Sequence, residues 1–216
     1  MWFVQCGVQK IKLLYLDTET TGLDPTKNAI IQISGIIEIN GEVVREFDFR
    51  LRPHLDALIE QQALDANKIT REELLDPARL EPIDAYKALK SIFLTYINKY
   101  DKEDKLYLVG QNVHFDYGFL LELWKRNGDM YLGSFIHYHK IDLIALTASL
   151  RVAGVFTKEK VPNLKLSTLA PLFGLGEQSH DSMSDIRQTR SIFLRILEKM
   201  KVLRAEEIFG VSPASH

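Results

Sequence analysis

The sequence has 216 residues, 46% of them hydrophobic and 26% charged, which is enough to bury a core and excludes a mainly disordered, collagen-like or coiled-coil chain. The 27 Lys and Arg residues against 29 Asp and Glu residues give a net charge of −2. That balance disfavours a protein that coats long nucleic acids and leaves open one that binds them at a single pocket.

The single cysteine, Cys6, rules out a disulfide framework within the chain and favours a reducing compartment. The apolar residues 1–8 lack the basic region and the small-residue cleavage site of a signal peptide. No apolar run reaches the ~18 residues of a membrane span. We therefore expect a cytoplasmic protein with no membrane partner.

The first part of the chain predicts three strands. Residues 11–17 are apolar on both faces, which is typical of a central strand covered on two sides. Residues 30–39 and 42–51 are two further strand-like runs, joined by the strong hairpin signal Asn40-Gly41. The three strands are expected to form an antiparallel meander.

Helical spacing of apolar residues dominates the rest of the chain. Helices are predicted over 56–65, 83–100, 115–127, 141–152, 164–173 and 182–208, with a fourth strand over 106–110 and an exposed loop over 155–162. This order predicts a mixed α/β sheet with helices on both faces. We expect one domain over residues 1–210 and a flexible tail over 211–216.

Two carboxylates lie at the carboxyl end of the predicted central strand. Asp17 and Glu19 are two residues apart, so their side chains share a face of that strand. Adjacent carboxylates repel, and a hard divalent cation such as Mg²⁺ or Mn²⁺ relieves the repulsion. The alternative is that both are ordinary strand-end residues bonded to the following turn.

Two more acids lie near predicted helix starts. Asp116 begins the apolar stripe of the helix over 115–127 and is expected to face the sheet, although a first-turn acid that favours the helix dipole is the more common case. His180 and Asp185 flank the start of the last helix, where Ser182 and Asp185 also fit a capping box. All these positions lie at strand ends or helix starts, where catalytic groups cluster in open α/β folds.

These residues resemble the three motifs of the DEDDh (DnaQ-like) exonuclease superfamily, the 3′→5′ exonucleases related to the epsilon proofreading subunit of bacterial DNA polymerase III. The motifs are Asp17-x-Glu19-Thr20-Thr21-Gly22-Leu23, Asn112-x-x-Phe115-Asp116-x-Gly118-Phe119-Leu120 and His180-x4-Asp185. The resemblance covers roughly residues 11–204 and implies a ribonuclease H-like fold. Gln111 and Asn67 stand where many relatives have His, which leaves the substrate preference open.

The resemblance also implies the roles of the site residues. Asp17, Glu19, Asp116 and Asp185 are expected to hold two Mg²⁺ or Mn²⁺ ions, and His180 is expected to be the general base. Glu19 would serve, with Asp185, the ion that carries the nucleophilic water. The residues expected to contact the terminal nucleotide are Thr20, Gly22, Leu23, Asn67, Asn112 and Phe115. For Phe115, core packing is an equally good interpretation.

The sequence therefore predicts a metal-dependent 3′→5′ exonuclease that releases nucleoside 5′-monophosphates from a single-stranded or frayed DNA end, in proofreading or repair. One alternative is an exoribonuclease that trims RNA 3′ ends or degrades short oligonucleotides. A less favoured alternative is a binding module that docks on a DNA polymerase. Lys158, Lys160 and Lys165 are candidate phosphate contacts, and a short, end-focused contact predicts a shallow salt dependence of binding.

Overall fold

The computed structural model describes residues 11–155, 157–176 and 181–200. Their framework is a five-stranded sheet in the order β3-β2-β1-β4-β5. The strands are β1 (Lys12–Thr20), β2 (Ile30–Ile39), β3 (Glu42–Arg50), β4 (Tyr107–Gly110) and β5 (Ile141–Asp142). β1 is central as predicted, antiparallel to β2 and parallel to β4.

The β2–β3 hairpin forms at the predicted turn. Asn40 and Gly41 both have positive φ angles, 52° and 88°, as a type I′ turn requires, because its twist matches that of the two strands. The mixed sheet, with an antiparallel half and a parallel half, confirms the predicted fold class.

Helices cover both faces of the sheet. The described helices are α1 (Gln61–Asn67), α2 (Pro82–Tyr96), α3 (Val113–Arg126), α4 (Leu143–Val152), α5 (Leu166–Leu172) and α6 (Ser182–Met200). α2 and α3 pack with Leu14 and Leu16 of β1 on one face. α6 packs with Leu13 and Tyr15 on the other face, and α4 and α5 pack against α6. The side chains of β1 are therefore apolar on both faces of the sheet, as a central strand requires.

The predicted helix over 56–65 is wrong at its start, since α1 begins only at Gln61. Residues 57–60 are not helical and bond to the loop that follows β1. Leu58 N–H donates to Lys27 O at 2.8 Å, and Glu60 N–H donates to Thr21 O at 2.9 Å. These tertiary hydrogen bonds replace the ones that an earlier helical turn would make.

Other predicted boundaries shift by a few residues. α2 ends at Tyr96 rather than at residue 100, because Ile97 takes an extended conformation and enters the core. Ile141 and Asp142 pair with β4 and only then lead into α4, where Asp142 accepts the Ile144 N–H. α5 is shorter than predicted. The described part of the last helix ends at Met200, so residues 201–208 and the tail over 211–216 lie outside the described residues.

Within the described ranges, no helix is both long enough and apolar enough to cross a membrane.

Candidate active site

Asp17 and Glu19 lie at the carboxyl end of β1 on the face covered by α6. In the antiparallel ladder they stand opposite Ser34 and Gln32 of β2. The pairing becomes irregular between Glu19 and Thr20, where the chain leaves the sheet. Both residues are partly exposed, although burial is the largest effect on the pKa of each carboxyl group.

Asp116 reaches the same strand end from the opposite face. The residue is only 2% exposed, and its Oδ1 accepts hydrogen bonds from the Thr18 backbone N–H and from Thr18 Oγ1, both at 2.9 Å. The pairing of β4 with β1 ends at Tyr15. Beyond that point the Asp116 side chain, and not a strand carbonyl, accepts the Thr18 backbone N–H. It therefore faces the sheet, as its place in the apolar stripe predicted.

Asp185 lies in the first turn of α6 and is 5% exposed. The alternative interpretation, a capping box of Ser182 and Asp185, does not hold, because Asp181 is the helix N-cap. Asp181 Oδ2 accepts the Ser184 N–H at 3.1 Å, while the Ser182 hydroxyl contacts that of Ser34. Asp181 therefore caps the helix. Asp185 lies near Asp17 and Glu19, because its charge raises the pKa values of both.

Burial, together with the charges of neighbouring acids, raises the pKa values of three carboxyl groups of the site. Burial, and then the charges of Asp185 and Asp181, raise the pKa of Glu19 to about 7. Burial raises the pKa of Asp116 to about 7 against the opposing effect of the Thr18 hydrogen bonds. The pKa of Asp17 lies well above its usual value, through burial first and then through the neighbouring carboxylates. Clustered acids with raised pKa values are typical of functional sites.

This donor set suits a divalent cation. Oxygen-only ligands with high negative charge match Mg²⁺ and Mn²⁺, and a cation would stabilise carboxylates whose pKa values are raised first by burial and then by their neighbours' charges. Within the described ranges, no three His, Cys, Asp or Glu side chains already converge tightly enough to hold a metal ion. The carboxylates are close enough for their charges to raise the pKa values of Asp17 and Glu19.

Three of the predicted substrate residues help to build the loop after β1. Thr20 Oγ1 donates to Gly22 O at 2.6 Å, and Asn67 Nδ2 donates to Thr20 O at 3.0 Å. A Cβ on Gly22 would lie 2.2 Å from Asn28 Nδ2 and 2.3 Å from Glu60 Oε1, so a side chain there has no room. These residues shape the loop, and their contact with substrate stays a prediction.

The loop presents Leu23, which is 78% exposed. An exposed leucine side chain has the apolar surface needed to contact a base. Phe115 is partly buried and packs 4.9 Å, centroid to centroid, from Phe119, so it contributes to the core and still offers part of its ring. Asn112 is exposed at the start of α3 with a φ of 61°, and its N–H donates to Asp142 Oδ1 at 3.2 Å.

His180, the predicted general base, lies outside the described residues. The candidate phosphate contacts Lys158, Lys160 and Lys165 are all exposed. Sequence reasoning missed two residues of the site, Thr18 and Asp181. Strand alternation places Asp17 and Glu19 on one face of the sheet and Thr18 on the other. This alternation could have predicted that Thr18 faces the helix that carries Asp116.

Several known proteins resemble this chain over most of its length. The model of the Exonuclease family (RNase_T) matches residues 14–193. The chain is 30% identical over 187 residues to the PolC-type DNA polymerase III of Thermotoga maritima, a match that covers 86% of this chain and 12% of the polymerase. It is 26% identical over 193 residues to ribonuclease T of Wigglesworthia glossinidia brevipalpis, covering 86% of this chain and 84% of that protein.

Among solved structures, Escherichia coli ExoI in complex with single-stranded DNA matches with a TM-score of 0.70 at 24% identity, over 89% of this chain and 41% of that one. At this identity the match shows a shared fold. The chain therefore spans only a small part of the polymerase and less than half of ExoI.

Proposed function

The chain belongs to the exonuclease family, and from that membership and the carboxylate cluster we propose that it is a metal-dependent 3′→5′ exonuclease that hydrolyses DNA from its 3′ end and releases nucleoside 5′-monophosphates. The observation that carries the proposal is the gathering of Asp17, Glu19, Asp116 and Asp185 from β1, α3 and α6 at one strand end, where burial and their mutual charges raise the pKa values of Asp17, Glu19 and Asp116.

In this proposal the four carboxylates hold two Mg²⁺ or Mn²⁺ ions. When bound, such a pair stabilises the attacking and leaving oxygens of an in-line phosphoryl displacement. The protein's own contribution is to keep the carboxylates in place. Thr18 anchors Asp116 with two hydrogen bonds, and the Asp181 cap fixes the first turn of α6, which carries Asp185.

We assign the general base to His180 from the motif His180-x4-Asp185. A neutral imidazole near pH 7 can accept the proton of the attacking water. The apolar contact with the terminal base is assigned to the exposed Leu23 and the partly exposed ring of Phe115. Base stacking on aromatic side chains is worth ~1–3 kcal/mol and tolerates any base, as a proofreading or degrading enzyme needs.

A 5′-labelled DNA oligonucleotide incubated with Mg²⁺ or Mn²⁺ tests the proposal. We expect a ladder that shortens from the 3′ end, nucleoside 5′-monophosphates as products, and loss of activity in Asp17→Asn. Asp84→Asn is the matched control, because Asp84 is an exposed acid of α2 outside the cluster. Equal rates for Asp17→Asn and the wild type would refute the proposal.

RNA is the second candidate substrate. The observation in its favour is the match to ribonuclease T over most of that protein's length, whereas the match to the PolC-type polymerase favours DNA and is compatible with a polymerase partner. Matched DNA and RNA oligonucleotides, each single-stranded and as a frayed duplex, distinguish the two. Faster degradation of RNA in every pair would move the assignment to an exoribonuclease.

A further inference from the structure

The first residue of α6 is joined to the sheet by a buried polar contact. Ser182 and Ser34 are both fully buried, and their hydroxyl oxygens are in hydrogen-bonding contact. Ser34 Oγ also bonds to Asp48 Oδ1 of β3 at 2.8 Å, and Gln32 Nε2 donates to the same oxygen at 2.9 Å. A chain of hydrogen bonds therefore runs from β3 through β2 to α6.

The chemistry of the groups sets the direction of this chain. A carboxylate only accepts, so the Ser34 hydroxyl donates its single proton to Asp48. The Ser34 oxygen must then accept from Ser182. Each hydroxyl proton thus has one defined acceptor, and the Ser182 side chain is held in one orientation.

This chain of hydrogen bonds reaches α6 at the level of the carboxylate cluster. Ser34 is the direct cross-strand neighbour of Asp17, and Asp48 is the neighbour of Ser34 in the next strand. Ser182 precedes Asp185 by three residues, which places both near one face of the helix. The contact between the two serines therefore joins the strand position beside Asp17 to the helical turn that carries Asp185.

We propose that Ser34 and Ser182 are positioning residues that set the placement of Asp185 relative to Asp17. The inference rests on the proposed function, because it assigns these hydroxyls a role in assembling the metal-binding carboxylates. Both serines are fully buried, so their role is to position other groups and not to contact substrate. Metal-assisted chemistry loses rate steeply when ligands are misplaced, so a buried hydroxyl contact one turn from Asp185 is expected to affect the rate more than substrate binding.

The test compares Ser34→Ala, Ser182→Ala and the double variant with the wild type. We expect each single variant to lower kcat at least tenfold with KM within twofold, and to weaken Mn²⁺ binding, measured by calorimetry, at least fivefold. The double variant is expected to be no worse than the singles, because all three lack the same contact. Arg187→Gln is the matched control, since it removes a different link from α6 to the sheet, the exposed pair with Glu46 at 2.7 Å, and we expect its kcat unchanged.

Thermal unfolding separates positioning from stability. Ser34→Ala leaves the buried Ser182 hydroxyl without its acceptor, whereas the double variant removes both hydroxyls. We expect the Tm of the double variant to recover relative to Ser34→Ala while its kcat stays low. A kcat that rises in parallel with Tm would overturn the inference.

The outcomes also separate this inference from the proposed function. Wild-type kcat and Mn²⁺ affinity in both single variants, with an active wild type, would refute the positioning role alone. An inactive wild type would refute the proposed function, and the Mn²⁺ affinities of the variants would still decide the positioning role.

Discussion

The raised pKa values predict that, without metal, the cluster destabilises the protein as pH rises. Asp116 is 2% exposed, and its pKa is about 7 instead of 3.8. The folded state therefore holds a proton that the unfolded state has released. The stabilisation contributed by the protonated Asp116 carboxyl group is fully present below the pKa of the unfolded state. It is lost as pH rises through the pKa of the folded state, that is, between a pH of about 4 and about 7.

The size of the effect follows from the pKa values. At ~1.4 kcal/mol per pKa unit, the Asp116 difference amounts to about 4 kcal/mol in total, of which about 3 kcal/mol is lost between about pH 5 and pH 8. For a protein of this size, ~1 kcal/mol corresponds to ~2–4 °C in Tm, so the expected fall in Tm is ~6–12 °C.

Thermal unfolding in EDTA at a series of pH values is the assay, with Asp116→Asn as the reference that cannot lose the proton. We expect the Tm of the wild type to fall relative to that of the variant as pH rises. Saturating Mg²⁺ or Mn²⁺ should reverse the fall, because binding to the folded state alone adds ~2.7 kcal/mol at a hundredfold excess over Kd. A wild-type Tm that stays level with that of Asp116→Asn from pH 5 to pH 8 would refute the reasoning.

Further predictions concern single side chains. Thr18→Val removes the Oγ1 hydrogen bond to Asp116 but keeps the backbone hydrogen bond. Because a hydrogen bond to a charged group is worth ~1.5–3 kcal/mol, we expect calorimetry to show weaker Mn²⁺ binding. An unchanged Mn²⁺ affinity would contradict the anchoring role of Thr18. Gly22→Ala is expected to lower the free energy of unfolding by ~1–3 kcal/mol in a urea titration, because its Cβ would collide with the buried Asn28. Leu23→Ala should raise KM for DNA severalfold with unchanged Tm, as its side chain is 78% exposed; a fall in Tm would assign it to the core instead.

Local sequence patterns predicted the framework because they act over a few residues. The Asn40-Gly41 turn and the double-sided apolar run of β1 need only backbone preference and strand alternation to be recognised. The helix over 56–65 failed at its start, because the hydrogen bonds of Leu58 and Glu60 go to a loop more than thirty residues away in sequence. Apolar periodicity carries no information about such partners.

The sequence by itself determined which acids are present, their spacing on strand and helix, and hence the family and the fold class. Only the tertiary structure decided how those acids are held. It showed that Thr18 anchors Asp116, that Asp181 rather than Ser182 caps α6, and that Ser182 instead contacts Ser34. The physical reason is that a hydroxyl or carboxylate has several local partners of similar energy, and packing between distant segments selects one of them.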